Sequence, residues 1–227
     1  MNIPKHIVLF PDGNRRWAKQ KGIQSMEGHM QGYQNLLLFS EWCKKRGVKV
    51  LTAFGFSTEN WNRTPEEVNY LMKLLEKCMI DNVQTYQQNG VRVRVIGQRD
   101  RLPESLKKSI EEIEKATQHN SNLFLNFAVS YGGKWDILQA VQKITAEKIP
   151  AEHIDEAAIE SHLSTAGQPV PDLIIRPGGE MRLSNFVLWQ AAYAELYFSP
   201  KLWPDFTEQD LDEALVEFDR RSRRFGK

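Results

Sequence analysis

Asp12 ends an apolar run and is followed by Gly13, Asn14, two adjacent arginines (Arg15, Arg16) and Trp17, all within His6–Gly22, HIVLFPDGNRRWAKQKG. One carboxylate can hold a divalent cation. Paired guanidiniums beside the free amides of a helix start suit an anion with many oxygens, such as a diphosphate. A second cluster, Arg176 to Ser184 (RPGGEMRLS), repeats the arrangement: apolar strand core, glycine turn, then Arg182 and a hydroxyl. The glycines let the backbone approach an anion that Arg182 and Ser184 can hold. A third polar loop, Phe56–Arg63 (FSTENWNR), brings Ser57, Glu59, Asn60, Trp61 and Arg63 directly after an apolar run. Pro-Asp-Gly alone is an ordinary turn signal, but a plain turn does not need paired arginines against an aromatic. Two anion sites on one sheet point to an enzyme that joins two phosphorylated molecules.

These residues need elements to hold them. Apolar runs at His6–Phe10, Val48–Phe54, Val91–Ile96, Leu123–Val129, Leu173–Ile175 and Glu195–Phe198 alternate with longer amphipathic segments. That is the pattern of a parallel sheet with helical crossovers. The expectation is a single α/β domain over 1–227: a mostly parallel six-stranded sheet flanked by helices, with an apolar tunnel between the sheet and two long helices. Ligands of open parallel sheets bind at the carboxyl ends of the strands, which lines up Asp12, the Phe56–Trp61 loop, Tyr131–Lys134 and Arg176–Ser184 on one edge. One long helix is predicted to start at Thr64 with Pro65 at its first position and Glu67 completing a capping box. Its apolar residues, Val68 to Tyr86, keep a helical period for about six turns up to Gly90. The other runs from about Gly28 to Arg46, and Leu36-Leu37-Leu38-Phe39 requires it to bury two sides. His29 begins it, near the first arginine pair. Glu195 is a second candidate carboxylate for a metal, or else a surface glutamate.

The chain has 227 residues, with 30 basic against 29 acidic side chains. This near-neutral balance argues against a broad nucleic-acid footprint. Cys43 and Cys78 lie in apolar helical patterns and read as reduced core residues. No run approaches a membrane span, and MNIPKHIVLF lacks a signal-peptide layout. The expectation is a cytoplasmic protein that can also work peripherally at the inner membrane face if its substrate is a lipid. There is no G-x-x-x-x-G-K-[ST] loop, G-x-G-x-x-G fingerprint, H-E-x-x-H or G-x-S-x-G elbow.

HIVLFPDGNRRWAKQKG, FGFSTENWNR, SYGGKWDI and IIRPGGEMRLSNFVLWQAAYAELYF together resemble the cis-prenyltransferases, the family of the bacterial undecaprenyl diphosphate synthases. The resemblance covers essentially the whole chain. It implies a homodimer that condenses isopentenyl diphosphate onto an allylic diphosphate, farnesyl diphosphate in the long-chain members, with Mg2+, to make undecaprenyl diphosphate for cell-wall carrier lipid. It implies that Asp12 is the essential carboxylate, and that Gly13, Asn14, Arg16 and His29 surround the allylic diphosphate, with Arg15 and Trp17 in the same segment. Arg176, Arg182 and Ser184 would hold isopentenyl diphosphate, and Glu195 would join Asp12 at the metal. Ser57, Glu59, Asn60, Trp61 and Arg63 match the loop that positions the reacting carbons, with Asn60 counted with Asp12 as catalytic. Arg224 and Gly226 match an element that reaches the partner subunit's site. The faces Met30–Trp42 and Val68–Tyr86 would form the sleeve, its far end stopped by one of Leu36–Phe39, Met72, Met79, Leu123, Leu125 or Phe127.

The sequence also departs from the family pattern. Ser25 stands where an arginine is usual, a loss that Arg15 can offset. Pro177 and Met181 replace residues that are more often polar. Two other readings follow: a short-chain or head-to-middle enzyme that couples allylic diphosphates, or a non-catalytic prenyl-binding subunit, which should have lost Asp12 or the Arg182–Ser184 pair.

Overall fold

The computed structural model describes residues 1–221. The elements run β1 (His6–Leu9), α1 (Asn14–Lys21), α2 (Ser25–Lys45), β2 (Val50–Ser57), α3 (Pro65–Asp81), α4 (Val83–Gln88), β3 (Val91–Ile96) and α5 (Glu104–Thr117). They continue with β4 (Leu123–Tyr131), α6 (Gly133–Ala146), α7 (Glu156–Glu160), β5 (Leu173–Arg176), β6 (Glu195–Phe198) and α8 (Glu208–Arg220). The six strands form one sheet in the order β3-β4-β2-β1-β5-β6. Every neighbouring pair is parallel. Because β1 is flanked by β2 on one side and β5 on the other, the chain reverses direction across the sheet at β1. The crevice beyond its carboxyl end is where such a sheet takes a ligand.

Four of these strands are buried along most of their length, as expected when both faces carry helices. On one face Phe39 of α2 meets Trp203 and Phe206, with ring centroids 5.5 and 6.1 Å away. On the other, Phe54 stacks on Phe186 at 4.0 Å. Cys43 and Cys78 are free and buried, as their helical settings imply.

Two helices differ from the sequence pattern. The run from Thr64 does not continue to Gly90: it breaks at Asn82, whose backbone leaves the helix (φ −112°, ψ 6°). Asn82 donates its side-chain amide to the Cys78 carbonyl at 2.9 Å, which is the competition with the helical ladder that asparagine offers. At the other end Thr64 caps the Glu67 amide, but the Glu67 carboxylate engages Arg63 at 3.0 Å instead of closing the box. In α2, Leu36 and Phe39 are buried while Leu38 is 53% exposed. The four-residue apolar run therefore wraps past the buried face.

At the amino ends of the strands His6 is fully buried. Its Nδ1 donates to the Pro169 carbonyl at 2.7 Å, so Nε2 accepts from the Thr52 hydroxyl at 2.8 Å. Thr52 in turn accepts from Asn126 at 2.9 Å. Burial lowers the His6 pKa from 6.5 to about 4, against the opposing pull of the Pro169 carbonyl. The unfolded chain therefore takes up this proton near pH 6.5 and the native chain does not until about pH 4. The stability His6 contributes is complete above pH 6.5 and is lost as pH falls through that window, by about 3 kcal/mol. The expected outcome is a urea midpoint that drops between those pH values, with His6→Gln less stable at pH 7 but flatter below it. An identical slope in the variant would assign the effect to other groups.

Candidate functional site

Asp12 sits just past β1, between the loop that follows β2 and the loop that follows β5. Gly13 makes the turn into α1 with φ 105°. A Cβ there would also lie 2.8 Å from Leu202, so both backbone and space require glycine. No side chain caps α1, and its first residue, Asn14, lines the cavity, so the partial positive charge of the helix start lies beside it. On the β5 side, Gly178 (φ 99°) comes so close that a Cβ would stand 2.9 Å from the Arg16 guanidinium. Arg16 donates to the Gly178 carbonyl at 2.6 Å and to Asp12 at 3.3 Å.

Arg176, the last residue of β5, is 4% exposed. It donates to Asp12 Oδ2 at 2.9 Å, to Ser184 Oγ at 2.9 Å and to the Arg182 carbonyl. Its guanidinium also lies over the Phe10 ring, 4.8 Å from the centroid. Arg182 pairs with Glu180 at 2.5 Å and is itself 62% exposed, so it can swing to a ligand. On the opposite side His29 Nε2 stands 3.7 Å from Glu67, a carboxylate that also holds Arg63 at 3.0 Å and has Arg15 at 3.7 Å. Burial, with the positive charge of Arg63 next in weight, lowers the His29 pKa to about 4. The imidazole is therefore neutral at pH 7.

A cavity of about 660 Å3 opens at this point. Asp12, Asn14, His29, Arg63, Arg176, Arg182 and Ser184 line its polar mouth, joined by Ser57, Glu59 and Asn60. Its depth is apolar, walled by Leu36 of α2, Leu71, Leu74 and Leu75 of α3, and Phe56 and Phe127 of the sheet. Ser57 and Asn60 bond each other's backbone amides at 3.0 and 3.2 Å, which shapes the turn between β2 and α3. Burial opposes ionisation of Glu59, yet hydrogen bonds from Asn185 and from the 57–59 segment hold its pKa below the ordinary value. Three buried side-chain atoms near the mouth lack hydrogen-bond partners: Asn14 Oδ1, His29 Nε2 and Arg176 Nε. Such atoms are expensive to leave unpaired and are matched to an incoming polar ligand.

Ten of the sequence-derived residues therefore share one cleft. Gly13, Arg15 and Arg16 do not line it, but Arg16 bonds Asp12 and Arg15 stands 3.7 Å from Glu67. Trp17 and Trp61 have other bonds: Trp17 donates to Asp205 at 2.8 Å, and Trp61 donates to Ser130 at 2.9 Å and packs against Phe56. Glu195 is not brought to Asp12 within this chain. It opens β6 opposite Leu173, at the amino end of β5, and pairs with Arg221 at 3.1 Å. Arg224 and Gly226 lie outside the described residues. Of the residues named as possible stops, Leu36 and Phe127 reach the cavity, whereas Phe39, Met72, Met79, Leu123 and Leu125 are buried in the core.

Sequence reasoning missed Glu67, Asn185 and Tyr33. The capping-box pattern gives Glu67 no role beyond the helix start. Asn185 follows Ser184 directly and donates to Glu59 at 2.8 Å. Tyr33 is four residues after His29, a helical spacing that puts both on one face.

A metal here would find hard oxygen at Asp12. Among the described residues no group of three or more His, Cys, Asp or Glu could hold one. The Asp12 carboxylate suits Mg2+, which commonly binds one or two carboxylates and completes its shell with substrate phosphates and water.

A family model described as putative undecaprenyl diphosphate synthase matches residues 10–226. An isoprenyl transferase of Neisseria meningitidis serogroup B is 46% identical over 99% of this chain and 90% of that protein. The ditrans,polycis-undecaprenyl-diphosphate synthase ((2E,6E)-farnesyl-diphosphate specific) of Pseudomonas aeruginosa is 44% identical over 99% of this chain and 91% of its own. The crystal structure of lavandulyl diphosphate synthase from Lavandula x intermedia, in complex with dimethylallyl diphosphate, superposes with a TM-score of 0.96 at 39% identity, covering 99% of both chains.

Asp12→Ala should do more than remove a carboxylate, because it takes the charge partner from buried Arg176. Its urea-derived stability is expected to fall by about 1–3 kcal/mol, whereas Asp12→Asn, which keeps an oxygen acceptor, should lose less. Equal stability of Asp12→Ala and the parent would mean that Arg176 does not rely on this pair.

Proposed function

Because this chain belongs to the prenyltransferase family described as putative undecaprenyl diphosphate synthase, a family of cis-prenyl chain-elongating enzymes, we propose that its cleft condenses isopentenyl diphosphate head-to-tail onto an allylic diphosphate. The observation that carries this reading is the pair of cationic groups on either side of Asp12, at the mouth of a cavity whose depth is apolar. The allylic diphosphate lies on the side of His29, Asn14, Arg63 and the α1 amides, with its tail in the cavity. Isopentenyl diphosphate lies on the side of Arg176, Arg182 and Ser184.

In this reading the allylic carbon–oxygen bond breaks and its electron pair leaves on the diphosphate. Arg16, Arg63 and the α1 amides stabilise that charge as it develops, an effect often worth several kcal/mol per well-placed donor. Arg15, which shares the Glu67 carboxylate with Arg63, adds the donor that Ser25 does not provide. The double bond of isopentenyl diphosphate supplies the electrons of the new carbon–carbon bond. Holding the two carbons about 3–3.5 Å apart is the task of the two anchors. A proton then leaves for Asp12 or a diphosphate oxygen, and Asn60 orients the reacting ends. Neutral His29 donates a hydrogen bond without adding another buried charge. Asp12 would hold Mg2+ together with the substrate phosphates, and the bound ion would supply charge neutralisation at the leaving group.

The finer parts of the proposal are these. The chain over 1–227 acts as one catalytic domain and as a homodimer, with Glu195, Arg224 and Gly226 working through the assembly. It works in the cytoplasm, peripherally at the inner membrane face, and supplies prenyl diphosphate from which lipid carriers of cell-wall biogenesis are built. The test is incubation with an allylic diphosphate, labelled isopentenyl diphosphate and Mg2+, with mass analysis of the products. Label should enter a prenyl diphosphate, and Asp12→Asn should lower the rate at least about 100-fold. Unlabelled products from a folded protein would end this reading.

A second reading, head-to-middle coupling of two allylic diphosphates, draws support from Ser25 and from the lavender enzyme's likeness. Dimethylallyl diphosphate alone distinguishes it: coupling without isopentenyl diphosphate favours the second reading, and none favours the first.

A further inference from the structure

The cavity runs inward between α2 and α3, and deep in it the two helices are tied together. Tyr33 of α2, which lines the cavity, donates its hydroxyl to the Cys78 carbonyl of α3 at 2.9 Å. The same hydroxyl accepts from Asn82 at 2.9 Å, and Asn82 also donates to the Cys78 carbonyl at 2.9 Å. These three groups make a closed triangle across the gap between the helices. Asn82 is the residue at which α3 breaks, and the break turns α4 so that Tyr86, 2% exposed, fills the core next to Tyr33. Beyond it, Lys44 near the end of α2 reaches the Asn89 side chain at 3.1 Å. The gap is thus occupied in successive layers by side chains from both helices and from α4.

The sheet wall does not close in the same way. Gly55 on β2 puts no side chain into the gap, and a Cβ there would stand 3.2 Å from the Ala128 carbonyl and 3.8 Å from Leu75. Depth rather than width is limited. The cavity is lined along α2 from His29, at the level of the diphosphate, through Tyr33 to Leu36, and along α3 from Leu71 to Cys78, the residue that the Tyr33 hydroxyl bonds. That is about 10 Å at 1.5 Å per residue. An extended isoprene unit adds four chain bonds, about 5 Å at roughly 1.5 Å per bond. The space holds a tail of about two units, and the same 660 Å3 includes the mouth where the headgroups lie.

We propose that the Tyr33–Cys78–Asn82 bridge is the stop of this cavity and confines the enzyme to short prenyl chains. The inference rests on the cleft's being a prenyl diphosphate site and adds the class of chain it accepts. A long-chain product would require Tyr33 to leave two hydrogen bonds and swing away from a partly buried position. The product this stop predicts is about two or three isoprene units long, shorter than the undecaprenyl chain named for the relatives.

The test measures binding and product length on the same proteins. Non-ionising thio analogues of dimethylallyl, geranyl and farnesyl diphosphate are titrated with Mg2+ into the parent, Tyr33→Ala and Tyr33→Phe by calorimetry. In the parent, affinity should rise from dimethylallyl to geranyl and fall at farnesyl. Tyr33→Ala should bind the farnesyl analogue at least about tenfold tighter than the parent does, with dimethylallyl little changed, and should extend the products made from labelled isopentenyl diphosphate. Tyr33→Phe keeps the ring and loses both hydrogen bonds, so an intermediate shift is expected even where the alanine variant folds poorly. A parent that binds farnesyl more tightly than geranyl, or that makes undecaprenyl diphosphate, overturns the stop while leaving the condensation intact. Failure of all three analogues to bind a folded parent strikes the prenyl site itself and the stop with it.

Discussion

Arg176 is a guanidinium at the end of a buried strand, and the organisation of the cleft follows from how its charge is accommodated. An isolated charge in that position would be untenable, and a paired one is held only if its hydrogen bonds are largely met. Asp12 meets it from β1, while Ser184 and the Arg182 carbonyl meet it from the loop beyond β5. Phe10 supplies its π face below. One cation thereby fixes the ends of two neighbouring strands, draws the 178–184 loop over the sheet edge, and orients the carboxylate at the centre of the cleft. Arg16 completes the arrangement by bonding Asp12 and the Gly178 carbonyl together.

The other bank of the cleft uses a different device. Glu67 gathers Arg63, Arg15 and the edge of His29, so cations are preplaced without a ligand to hold them. Burial keeps His29 neutral, which lets a polar donor face an anion without the desolvation penalty of another charge. Most mouth arginines therefore have a carboxylate to exchange for phosphate oxygens when a ligand arrives. The two banks meet at Asp12, and the apolar walls begin directly behind them. This polarity gradient orients an amphiphilic substrate with its headgroup out and its tail in.

The helices that wall the cavity show how local and tertiary preferences divide the work. The apolar period from Val68 to Tyr86 is intact, yet the helix is not continuous, because Asn82 trades a backbone bond for bonds to Cys78 and Tyr33. Leu38 breaks the same kind of expectation in α2: four apolar residues in succession cover more of the helix circumference than the neighbouring elements can bury.

Much of the architecture was legible in the chain because it depends on short-range rules. Alternating apolar runs and helical periods specified a parallel α/β sheet, and all six runs became strands within a few residues of their predicted limits. Asp12, Asn14, Arg176, Arg182 and Ser184 were recognisable because glycine turns after apolar strands bring polar residues to a sheet's carboxyl edge. Tertiary structure alone decided the rest. Glu67 became a hub for three cationic or titratable side chains, Trp17 and Trp61 became packing and hydrogen-bonding residues, and Glu195 was placed at the far end of its strand from Asp12. Tyr33 acquired its meaning only from residues about 45 to 50 positions away. Such outcomes depend on which distant elements the packed sheet brings together, and a periodic pattern within one element carries no record of its neighbour's side chains.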